Sequence, residues 1–242
     1  MTEEEWLTSA APGMMLEAPV LKASFRKLRL FASACCRRLA PHFKDMQSLQ
    51  MVEVSENFAD GDATADELES AFDEAAEAQE AIHWGDGDAV DQASAEAVLG
   101  LREPLQMWQA FGSAHEVAVA LATASVWERL NTTGRHWSDI QAERNEIEAE
   151  AVKVEFTILT ALLRDIFGNP FRPVAFAPEW RTDTALGIAR QMYEARDFSA
   201  MPILADALQD AGCDNADVLN HCRGDGPHVR GCWVVDLVLG KE

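Results

Sequence analysis

The sequence predicts an all-α fold, an irregular multi-helix bundle, and three observations carry that prediction. Apolar residues recur at the three- and four-residue spacing of a helix face, capping signatures stand where such stripes begin, and glycine and proline close them. A chain of 242 residues with 48% hydrophobic content has enough apolar surface for a packed core.

Taken in order, "FRKLRLFASACCRRL" (25–39) sets Phe25, Leu28, Ala32, Cys35, Cys36 and Leu39 on one stripe and turns Arg26, Lys27, Arg29 and Arg37 elsewhere. Thr64 and Glu67 have the spacing of a capping box, so a helix is expected from there to about His83. Two or three helices fit between Asp86 and Leu130, with Pro104 and Gly112 as interruptions. Ser138 and Gln141 form a second capping box. Behind it Ile140, Ile147, Val154 and Ala161 repeat every seven residues, and "VKVEFTILTALL" is expected to be the most buried helical stretch. It stops at "FGNP", where Gly168 can turn left-handed and Pro170 cannot continue the helix.

Pro170, Pro173 and Pro178 then make "NPFRPVAFAPEW" an extended strap. Helical patterns resume over Thr184–Ala195, Met201–Asp210 and Ala216–His221, with Asp214 as a candidate N-cap for the last of these. Pro227 suits the first position of a final helix. The ending "CWVVDLVLG" is read as helix, although its β-branched residues would also suit a buried strand. The expected organisation is a helical body over residues 1–169, with the strap and a small C-terminal helical subregion, 170–242, packed upon it.

The net charge of -21 and a pI near 4.5 speak against binding nucleic acid or an anionic membrane surface. No run of roughly 18 apolar residues and no leader pattern occurs, and the adjacent Cys35 and Cys36 are unlike a secreted disulfide framework. A cytoplasmic protein with reduced thiols is expected. Charge is also divided along the chain: Lys22, Arg26, Lys27, Arg29, Arg37, Arg38 and Lys44 cluster, and no Lys or Arg follows until Arg102. Local neutralisation between these regions is the favoured reading, and contact of the basic helix with an acidic partner or RNA the alternative.

Several chemistries fail on spacing. Asp60, Asp62, Thr64 and Asp66 resemble the start of a calcium loop, but Ala65 and Ala71 replace its required Gly and Glu. Glu80 and His83 form a single Glu-x-x-His, where a di-iron bundle needs two. No phosphate loop, dinucleotide fingerprint or G-x-S-x-G is present, so enzyme status has no positive sign.

The densest chemistry is "GCDNADVLNHCRGDGPHVRGCW", which holds three of the five cysteines and two of the six histidines. His228 and Cys232 would share a helix face, and Cys222 with His221 or Cys213 would complete a tetrahedral zinc set, with sulfur-to-nitrogen separations of roughly 3.5–4 Å. The competing reading is that these residues are caps, staples and small core hydrophobes.

The segments "EEWL", "RKLRLFASACCRR", "LLRDIFGNPFRPV", "MPILADALQDAGCDNADVLNHCR" and "HVRGCWVVDLVLGKE" resemble a family of uncharacterised bacterial proteins that occurs as many paralogues in one genome. The resemblance covers both ends of the chain and not its acidic middle, and it implies no activity, cofactor or catalytic residue. Two positions depart from it: Ser33 replaces the first cysteine of a Cys-x-Cys-Cys cluster, and Asp225 stands where the tail has proline. The first departure weighs against metal or redox chemistry at Cys35 and Cys36.

Two functions are therefore expected. One is a non-enzymatic helical module without a cofactor that binds a protein partner through Phe171, Arg172, Phe176 and Trp180 of the strap or through the basic helix. The other is a zinc protein using Cys213, His221, Cys222, His228 and Cys232.

Overall fold

In the computed structural model, residues 1–83, 97–102 and 141–241 are described, together with positions 94, 112, 115, 117–119, 121 and 122. Most of the helices expected between Asp86 and Leu130, the Ser138–Gln141 capping box and the His83 side chain lie outside the described residues.

The described residues form helices without a strand: α1 Glu3–Thr8, α2 Pro12–Leu16, α3 Phe25–Arg37, α4 Met46–Asp60, α5 Ala65–His83, α6 Gln141–Phe167, α7 Asp183–Ala195, α8 Met201–Asp210, α9 Ala216–Arg223 and α10 Trp233–Leu239. Thr64 and Glu67 cap α5 reciprocally, at 2.7 and 3.2 Å. Gly61 ends α4 and Gly168 follows α6, both with positive φ. The ending 233–239 is helical.

Helix α3 is the centre of the body. It packs against α4 and α6, and every residue from Leu28 to Cys36 is buried. The burial expected of "VKVEFTILTALL" belongs to α3 instead: in α6 Val154 is 51% exposed, and the solidly buried positions begin at Leu159. Arg29, placed off the apolar stripe by the sequence pattern, is buried too. Its guanidinium donates to the Leu101 carbonyl at 2.5 Å and lies 5.0 Å from the Phe58 ring, which offset part of the cost of desolvating a charge, and burial still lowers its pKa to about 10. Cys35 and Cys36 are fully buried core residues.

Buried residues separate into two clusters. The first draws on residues from Trp6 to Ile166, the second on residues from Trp180 to Val238. Ion pairs join them: Asp60, whose side chain is fully buried, takes Arg26 at 2.8 Å, Arg230 at 2.7 Å and the Tyr193 hydroxyl at 2.8 Å. Arg26 also clasps Asp236 of α10, at 2.6 and 2.9 Å. Arg37 pairs with Glu56 and Arg38 with Glu155, so much of the basic cluster is neutralised by neighbouring acidic helices. Among the described residues no helix is long and apolar enough to cross a membrane.

Candidate metal centre

Four groups from three parts of the chain meet at the junction of the two clusters. Asp165 comes from the last turns of α6, His221 from the last turn of α9, and His228 and Cys232 from the loop between α9 and α10. One ligand atom from each lies within 4.8 Å of every other. Asp165 Oδ1 is 3.1 Å from His221 Nε2 and 2.8 Å from His228 Nδ1, and Cys232 Sγ is 3.2 Å from the same His221 Nε2. The remaining oxygen of Asp165 accepts the Val229 amide at 2.9 Å. The cluster is largely buried: the Asp165 and His228 side chains are 2% and 8% exposed, Cys232 is fully buried, and His221 is 19% exposed.

Local backbone chemistry explains the convergence. On α9 neighbouring residues point about 100° apart, so His221 faces Asp165 while Cys222 turns into the second core. His228 and Cys232 do not share a helix, contrary to the sequence reading. Helix α10 begins at Trp233, after Cys232, and not near Pro227. The loop is held by the Val229 amide on Asp165 and by a turn in which the Cys232 amide donates to the Val229 carbonyl at 2.9 Å. Gly231 makes that turn with φ +95°, and a Cβ there would sit 2.9 Å from Leu30 Cδ1, so both conformation and space call for glycine. The N-cap of α9 is Asn215 and not Asp214; its side chain accepts the Val218 amide at 3.1 Å.

Of the five expected ligands, the fold therefore assembles His221, His228 and Cys232. Cys213 and Cys222 pack in the second core beside Val218 and Leu208, outside the cluster. Burial pushes the Cys222 thiol up to about 12, which suits a neutral core residue. Asp165 was missed, although a signal existed. It is an acid one residue before Ile166 on the stripe Leu159, Leu162, Leu163, Ile166, where solvent does not reach.

Electrostatics distinguish the groups. Burial opposes ionisation of Asp165, but the hydrogen bonds and charge of His221 and His228 outweigh it and hold the carboxyl below its ordinary pKa. Burial, reinforced by the Asp165 charge, pushes the Cys232 thiol well above the ordinary value. A nucleophilic Cys-His-Asp triad uses one imidazole nitrogen for the thiol and the other for the acid. Here both contacts fall on His221 Nε2, and the sulfur has no path to a substrate.

The strap residues differ in exposure. Trp180 is 9% exposed and meets Phe176 edge to face at 5.2 Å. Phe171 and Phe176 are half-buried, against the first and second cores respectively. Arg172 is exposed and paired with Glu3 at 2.5 Å. Packed in this way, the aromatics hold the strap down.

Comparison with protein families, curated proteins and solved structures finds no match.

Proposed function

We propose that Asp165, His221, His228 and Cys232 hold one zinc ion, and that the ion is structural, tying the C-terminal helices to the body. The observation that carries this reading is the double contact of His221 Nε2. A ring nitrogen has at most one hydrogen, which cannot make a full linear bond to both Asp165 Oδ1 and Cys232 Sγ, 3.1 and 3.2 Å away. A cation among the four atoms satisfies all of them together.

The donor set fits zinc. One thiolate, two imidazoles and one carboxylate make a mixed N, O and S tetrahedron, which suits a borderline-soft ion. Bond lengths of about 2.0–2.3 Å put tetrahedral edges near ~3.3–3.6 Å, so the three contacts of 2.8, 3.1 and 3.2 Å open slightly and the wider pairs, which lie within 4.8 Å, close onto the ion.

Four protein ligands leave no open coordination position, which separates structural from catalytic zinc. Binding displaces the Cys232 proton, since the thiolate is the ligand. Metal analysis of protein purified without an affinity tag tests the proposal. About one equivalent of zinc is expected, falling in Cys232→Ala and His221→Ala, and less than half an equivalent in the parent protein overturns it.

A further inference from the structure

Beside the cluster, on the other side of Trp233, lies a cavity of about 650 Å³. That is within the range of pockets that enclose small molecules. It opens where the N-terminus of α3, the end of α6, the strap and α10 meet. Its apolar walls include Leu21, Pro170, Val174, Trp233 and Leu237. Trp233 is a fixed wall: its ring stands 5.1 Å from that of His221 and packs against Gly168, where a Cβ would come within 3.1 Å of it.

The polar lining carries an unusual sign for so acidic a protein. Lys22, Lys27, Arg172 and Lys241 line the cavity with the carboxylates Asp217 and Asp236. Asp236 is taken by Arg26 at 2.6 Å, Arg172 by Glu3 at 2.5 Å, and Lys241 by Asp60 at 3.3 Å. Lys22 and Lys27 remain; the charges of Asp236 and Asp165 reach Lys27, and the other lining carboxylate, Asp217, is exposed. Among the described residues neither lysine has a carboxylate within ion-pairing distance. Lys27 Nζ donates to the Ile166 carbonyl at 2.8 Å, and burial lowers its pKa below the ordinary lysine value. Ser24, the N-cap of α3, also lines the cavity, and the first turn of that helix contains no acidic side chain. The positive end of the helix dipole is thus not neutralised by its own residues.

We propose that this cavity binds a small organic anion with an apolar body, its carboxylate or sulfonate held by Lys27 and Lys22 and its body against Trp233 and Leu237. The cations choose the anionic head, and the apolar wall supplies the contact area. The net charge of -21 repels anions from the rest of the surface. This inference stands apart from the zinc proposal.

The test is a fluorescence titration of the full chain with anilinonaphthalene sulfonate, with the uncharged N-phenylnaphthylamine as comparator. One saturable site is expected, with the neutral probe at least about tenfold weaker. Lys22→Glu, an exposed position that leaves the fold alone, weakens the sulfonate at least about fivefold, and Lys27→Met about tenfold or more. Leu237→Trp, which fills the cavity, abolishes saturable binding in protein of unchanged helical circular dichroism. Any one of three results overturns the proposal: no saturable site, equal affinity for the two probes, or unchanged affinity in both lysine variants. Zinc content measured on the same samples distinguishes failure of this site from failure of the metal site.

Discussion

Replacing Asp165 with asparagine isolates the group on which the junction turns. The carboxylate is 2% exposed and accepts from both imidazoles on one oxygen and from the Val229 amide on the other. Asparagine keeps the shape but has one acceptor oxygen. With that oxygen toward the histidines, its NH2 faces the Val229 N–H; turned round, it faces the two ring nitrogens. One charge-assisted hydrogen bond is lost at about 1.5–3 kcal/mol. The others become neutral bonds of roughly half their former strength. The expected loss is about 3–6 kcal/mol, a large fraction of the total stability of a natural domain. Urea unfolding followed by circular dichroism, with both proteins in chelator, measures this without any metal contribution. In zinc-replete buffer the variant should also carry less than half an equivalent, because an amide is a poorer zinc ligand than a carboxylate. A loss below about 1 kcal/mol in chelator, at unchanged denaturant slope, would refute the bonding described. Retention of a full equivalent of zinc would remove Asp165 from the ligand set.

Other outcomes follow from the same packing. Burial works against the Asp60 carboxylate, but the Tyr193 hydroxyl, Arg26 and Arg230 prevail and depress its pKa. Its stabilising contribution is therefore complete above the unfolded value near ~3.9 and is lost as pH falls through the folded one. Melting temperatures of the parent protein and Asp60→Asn should differ by a constant gap from pH 6 down to about 4 and converge as pH falls further, and a gap that stays constant well below that region would contradict the assignment. Gly231→Ala meets Leu30 Cδ1 at 2.9 Å at φ +95°, whereas Gly61→Ala, at φ +80°, meets nothing within 4 Å. The first should cost about 2–4 kcal/mol and weaken zinc binding, the second only about 1; equal losses in thermal melts would show that crowding is not the cause. All five cysteines are buried, so a maleimide should label none in the native protein and all in urea, and rapid native labelling of any one would count against the packing around it.

The sequence was most legible where a local rule suffices. The capping pair Thr64 and Glu67 and the stop at Gly168 depend on residues within one turn, and both features are seen. Boundaries set by competition between neighbours were harder. Asp214 and Asn215 are both good caps, and the fold uses Asn215. Pro227 could open a helix, but the loop follows the bond that Asp165 offers to the Val229 amide, 64 positions away in the chain. The pattern turns Arg29 off the apolar stripe and offers no partner for Asp60, because the groups they bind, the Leu101 carbonyl and Arg230, come from distant segments.

Composition and periodicity alone determined an all-helical chain, because helix formation depends on contacts three and four residues apart. They also singled out His221, His228 and Cys232 by density of reactive side chains. Only the tertiary structure decided that Asp165 joins them, that Cys213 and Cys222 do not, and that a cation-lined cavity lies beside them. The physical reason is that a ligand set is a matter of distance in space and of desolvation. Both are settled when α6, α9 and the loop before α10 pack together.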